Sequence, residues 1–201
     1  MTTQRNFIAA ALALAVTAVA APTQAQGVIK IGEINSYKAF PSFLGPYTDG
    51  MQLALDQINA AGGVNGKKLV LITRDDNGKP GDTVRVAEEL VSNEKVDVLT
   101  GGFLSNTGLA LADFANHAKV FYLAGEPLTD KIVWADGNKY TFRLRPSTYM
   151  QVAMLVPDAV KLHKKRWALV YPNYEYGQSS VATFKKLLKA AQPDVEFVAD
   201  E

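Results

Sequence analysis

From Val28 onward the chain alternates short apolar runs with longer segments of helical period, and this alternation restricts the fold more than any other feature. Residues 28–34, 69–73, 96–100, 120–124, 167–171 and 195–199 suit buried strands, and 140–144 reads as a further extended segment. Between them, Met51, Leu55 and Ile58 recur at helical spacing, as do Val84, Ala87 and Val91, and later Val181, Phe184, Leu188 and Ala191. Strand and helix in turn define an α/β class with a parallel sheet, and right-handed crossovers make a doubly wound lobe the leading topology.

The expected boundaries follow from turn and cap chemistry. The first helix starts at Thr48, after a polar and aromatic loop at 35–46, and ends at Gly62-Gly63. Asp82 or Thr83 caps the second, Ser105 the third and Ser147 the fourth, while Pro157 predicts a kink or break near Val156. Pro193 ends the last helix. Residues 145–147, Arg-Pro-Ser, mark an exit from one unit into another, so 27–144 is expected to form a first lobe and 145–201 an incomplete second one.

Residues 1–25 stand apart. Arg5 gives a positive start, 7–21 is apolar, and Thr23-Gln24-Ala25 offers small residues for cleavage. The apolar run is shorter than the ~20 residues a bilayer requires, so a cleaved secretory signal is expected rather than a retained anchor. That places the mature chain in the periplasm. There are no cysteines, which excludes disulfides, thiolate metal sites and lipid attachment at a cysteine.

With 21 basic and 20 acidic residues the balance offers no nucleic-acid partner. The basic cluster at 161–166 lies at a helix C-terminus, where cations favour the dipole, and no second basic stripe accompanies it. Catalysis has equally little support. Only His117 and His163 exist, and neither sits in a metal-binding pair. Gly177-Gln178-Ser179 is not a nucleophile elbow, and the glycines near position 101 lack phosphate-loop spacing. No cofactor or metal is expected.

What remains is recognition. Doubly wound sheets bind ligands beyond the carboxyl ends of their strands. Here that rim comprises the loop at 35–46, the stretch 97–108 (Asp-Val-Leu-Thr-Gly-Gly-Phe-Leu-Ser-Asn-Thr-Gly) and the turn at 125–127. Ser105, with N–H groups of Asn106 and Thr107, can hold a carboxylate at the helix N-terminus, or Ser105 can simply cap that helix.

Several motifs resemble one family. They are Ile31-Gly32, the run Ile58-Asn59-Ala60-Ala61-Gly62-Gly63-Val64-Asn65-Gly66, Asp75-Asp76, Gly101-Gly102 with Ser105, Phe142-Arg143 before Pro146-Ser147, and Tyr171-Pro172 with Tyr176-Gly177. In that order they resemble the type I periplasmic solute-binding proteins of ABC importers, in the leucine/isoleucine/valine-binding group. The resemblance implies that Ser105, Asn106 and Thr107 hold a ligand carboxylate. It implies that Ala124 and Glu126 face an α-amino group, that Phe43 packs on the ligand, and that Tyr176 reaches across from the second lobe. Where relatives carry a hydroxyl, Glu126 brings either a negative charge that suits an ammonium or a protonated acid that donates.

The implied function is capture of a small carboxylate, an amino acid or an aromatic acid, for permease subunits in the inner membrane. A ligand-sensing module of the same fold and an exported enzyme with an unrecognised site are the alternatives. Members of the group continue beyond the point matching Glu201, so the chain is expected to hold a nearly complete first lobe and the opening of the second.

Overall fold

The computed structural model describes residues 27–200, so the expected signal segment lies outside the described residues. In chain order the elements are β1 (Ile29–Asn35), α1 (Pro41–Ala60), β2 (Leu69–Asp75), α2 (Pro80–Ser92), β3 (Val98–Gly101), α3 (Ser105–Ala118) and β4 (Phe121–Ala124). A short 3-10 turn (Asp130–Ile132), β5 (Thr141–Arg143), α4 (Thr148–Lys161), β6 (Arg166–Leu169), α5 (Glu175–Ala191) and β7 (Glu196–Asp200) follow.

Strands β1 to β5 form one parallel sheet in the order β2-β1-β3-β4-β5, and β6 pairs with β7 in a second parallel sheet. The order reverses at β1: the chain steps one way to β2, then back across β1 to β3. Right-handed crossovers therefore send α1 to one face of the sheet and α2 and α3 to the other. The packing agrees, with α2 and α3 lying against each other. The core between them and the sheet holds Ile34, Leu90, Leu99, Leu111 and Tyr122, all fully buried. Each such aliphatic side chain contributes about 1.5–3 kcal/mol on leaving water. A smaller cluster of Leu188, Val195 and Ala159, flanked by Trp167, Phe184 and Phe197, holds α4, α5 and the second sheet together.

Four boundaries depart from the sequence expectation. Helix α1 begins at Pro41, not Thr48. Proline at the first helical position loses no hydrogen bond, and Pro46 costs only one within the helix, so the aromatic segment is wound up rather than looped. Neither Asp82 nor Thr83 caps α2, which starts at Pro80 after an extended Lys79. Ser105 is the first residue of α3 and not its cap, Leu104 holding that place without a side-chain bond. Helix α4 runs through Pro157 unbroken, and its Ser147 cap forms as expected, the Ser147 hydroxyl accepting from the Met150 N–H at 3.3 Å.

Candidate functional site

At the reversal point the ends of β1 and β3 lie side by side, Ile34 opposite Gly101. Gly101 and Gly102 take φ of 102° and 76°, and the Gly102 N–H donates to the Ile34 carbonyl at 2.8 Å. A Cβ on Gly101 would lie 2.2 Å from that same oxygen, so the double glycine is required by both conformation and space. It turns the chain out of β3 and starts α3 over the sheet edge.

One buried side chain organises this edge. Asn35, the last residue of β1, donates from Nδ2 to Glu33 Oε1 at 2.6 Å and to Glu126 Oε2 at 2.5 Å, and its Oδ1 accepts from the Phe103 N–H at 2.7 Å. A single amide thus links β1, the turn after β3 and the turn after β4. Glu33 also accepts from the Tyr37 hydroxyl at 2.5 Å. Burial pushes the Glu33 carboxyl up to about 8, opposed by the Tyr37 and Asn35 bonds and aided by the nearby Glu126 charge. Burial also raises Glu126, with Asn35 and the charge of Arg145 pulling the other way. Nearby, Asp76 accepts from Ser36 at 2.7 Å and from the Gly78 N–H at 2.9 Å, fixing the turn after β2.

The loop after β4 is pinned through both of its backbone polarities. Ser105 Oγ accepts from the N–H groups of Leu128 and Thr129, at 3.3 and 3.2 Å. The Arg143 guanidinium donates to the carbonyls of Pro127 and Leu128, at 3.0 and 3.2 Å, and to that of Thr129. Since Ser105 Oγ serves as acceptor to this loop, the free capacity of its hydroxyl is as a donor, which suits a carboxylate.

These elements enclose a cavity of about 330 Å³. Phe43, Phe103, Ser105, Glu126 and Leu128 line it from the five-stranded unit, with Arg145 at the exit from β5. Tyr174 and Tyr176, at the start of α5, line the opposite side. The Phe43 and Phe103 rings lie 6.0 Å apart, and those of Tyr174 and Tyr176 6.1 Å. The start of α5 is tied to the first unit by Glu175, which accepts from the Thr129 hydroxyl at 2.6 Å and pairs with Lys131 at 2.8 Å. A larger groove of about 420 Å³ runs along β6 and α5, and Trp167, Leu169, Val181 and Phe184 make it mainly apolar.

Of the residues singled out from sequence, Phe43, Ser105, Glu126 and Tyr176 meet at the one cavity. Asn106, Thr107 and Ala124 do not line it. Thr107 is fully buried, its hydroxyl donating to the Leu104 carbonyl at 2.9 Å. Ala124 is also fully buried, and its carbonyl already accepts from the Leu144 N–H at 3.0 Å. Phe103, Leu128, Arg145 and Tyr174 were not singled out. Their only local signals are the position of Phe103 beside the double glycine and of Tyr174 beside Tyr176.

The fold is that of a parallel α/β protein with a cavity at its strand ends. Residues 28–201 match the family model described as periplasmic binding protein, and the chain belongs to that family. It is 31% identical over 170 residues to an amino acid binding protein of Pseudomonas aeruginosa, covering 83% of this chain and 45% of that one. Over 200 residues it is 31% identical to Leu/Ile/Val-binding protein homolog 7 of Brucella suis, covering 94% and 48%. The chain therefore spans about half the length of these relatives.

Solved structures of the type I periplasmic binding fold superpose well. A solute-binding protein of an ABC transporter from Rhodopseudomonas palustris, in complex with 3,4-dihydroxybenzoic acid, matches with a TM-score of 0.75 at 27% identity, covering 86% of this chain and 46% of that one. A branched-chain amino acid transporter substrate-binding protein from Streptococcus pneumoniae, in complex with isoleucine, matches at 0.73 and 27%, covering 87% and 49%.

Proposed function

We propose that the chain is the ligand-capturing part of an extracytoplasmic solute-binding component of an ABC importer, delivering a small carboxylate to permease subunits and catalysing no reaction. The cavity is then the cleft between a first lobe built on β1–β5 and a second beginning at α4. The observation that carries this reading is the meeting of a hydroxyl donor, Ser105, a cation, Arg145, and four aromatic rings around one cavity. Phe43, Phe103, Tyr174 and Tyr176 favour an aromatic acid over an aliphatic amino acid, because flat rings bury area against flat rings.

A thermal-shift panel tests it. Benzoate, 4-hydroxybenzoate, leucine and isoleucine are each added at millimolar concentration to the full chain. A ligand at 100 times its Kd adds about 2.7 kcal/mol to stability. The aromatic acids are expected to raise Tm; no shift from any of the four contradicts the reading.

A further inference from the structure

Glu126 is where the cavity meets a buried acid pair. It is 6% exposed and lines the cavity; its Oε2 accepts from Asn35, and among the described residues its Oε1 has no hydrogen-bond partner. Behind it, Asn35 uses both amide N–H bonds on the two carboxyls, so neither bond is left to answer a further negative charge. The other groups facing the pair come from every neighbouring element. They are Tyr37 after β1, Tyr47 on α1, Asp76 after β2 and Tyr122 on β4, with Arg145 after β5 the cation that faces Glu126. Tyr174 and Tyr176 close the far side.

A ligand carboxylate entering this cavity adds negative charge beside two acids and one exposed arginine. Keeping Glu126 ionised would oppose the ligand, whereas a proton removes that charge and turns the carboxyl into a donor. Burial raises both acids and so makes that proton easier to take up when the ligand enters. An α-amino acid brings its own cation and has no such need.

We infer that Glu126, backed through Asn35 by Glu33, sets ligand specificity by protonation: an anion lacking an ammonium enters with a proton that settles on the pair, while an α-amino acid leaves Glu126 ionised. This rests on the carboxylate-binding reading. Benzoate and leucine are titrated calorimetrically into the full chain in two buffers of different ionisation enthalpy, at a pH above the pair's titration, where the free pair is ionised. Benzoate is expected to take up close to one proton, and its affinity to weaken by up to tenfold per pH unit above the pair's titration. Leucine takes up none, and Glu126→Gln abolishes the uptake with benzoate.

Benzoate binding without proton exchange overturns the inference and leaves the carboxylate reading standing. No heat from either probe removes the carboxylate reading, and the ligand of the inference with it. The pair itself is tested without ligand by carboxyl carbon NMR. At least one glutamate is expected to titrate well above the ordinary ~4.3 and to vanish in Glu33→Gln or Glu126→Gln. Ordinary titration of every glutamate overturns the inference.

Discussion

The Thr129 hydroxyl donates to Glu175 at 2.6 Å, joining the pinned loop after β4 to the helix that carries Tyr174 and Tyr176. Thr148 reinforces the same junction, donating to Asp130 at 2.7 Å and accepting from the Ser179 hydroxyl at 2.6 Å. The two walls of the cavity are thus held at a set distance by a few polar bonds.

Glu175→Ala should loosen this junction. The Thr129 bond, to a charged acceptor, contributes about 1.5–3 kcal/mol, while the half-exposed Lys131 pair adds little. Urea unfolding is expected to show a loss of about that size, with faster amide exchange in the first turn of α5. Unchanged exchange there would mean that apolar packing alone places the two tyrosines.

Ser105→Ala removes the acceptor of two backbone N–H groups, one of them on fully buried Thr129. An unsatisfied buried donor costs about 1–3 kcal/mol, which denaturant titration will read. Ligand affinity should fall as well, by about tenfold for the loss of one hydrogen bond to a charged group. A stability loss with affinity intact would confine Ser105 to holding the loop.

Glu33 makes folding pH-dependent. Its carboxyl is raised from 4.5 to about 8 in the folded chain, so between those values the folded state holds a proton that the unfolded state has lost. The stabilising contribution is complete below about 4.5 and is lost as pH rises through about 8. Glu33→Gln should flatten that part of the stability profile, measured as urea midpoints across pH 4–9.

Gly101→Ala forces a side chain into φ of 102° and against the Ile34 carbonyl. Strain of this kind costs about 1–3 kcal/mol before any clash is counted, and thermal unfolding should show at least that loss. Ala at Gly45, where a Cβ meets nothing within 4 Å, is the matched control and should be close to neutral.

Local pattern made the alternation of elements readable, because burial on both faces leaves short apolar runs in the strands and a period of 3.6 in the helices. It failed where one residue type serves two purposes. Pro41 and Pro46 read as loop residues, though the first sits where a helix can begin. Ser105 reads as a cap, yet its oxygen goes to residues 23 and 24 positions away. The rim loops and Ser105 were legible from the strand ends themselves, whereas Phe43, Glu126 and Tyr176 were pointed to only by the resemblance. Asn35 escaped, since its partner Glu126 lies 91 positions on and Phe103 lies 68. Nothing in the residues beside it records such a bond.

Amide chemical-shift mapping of the full chain with benzoate tests the central claim most directly. The account predicts saturable shifts clustered at Phe43, Phe103, Ser105, Glu126, Tyr174 and Tyr176. Shifts confined to the apolar groove of Trp167, Leu169 and Phe184, or no saturable shifts with benzoate or leucine, would contradict it.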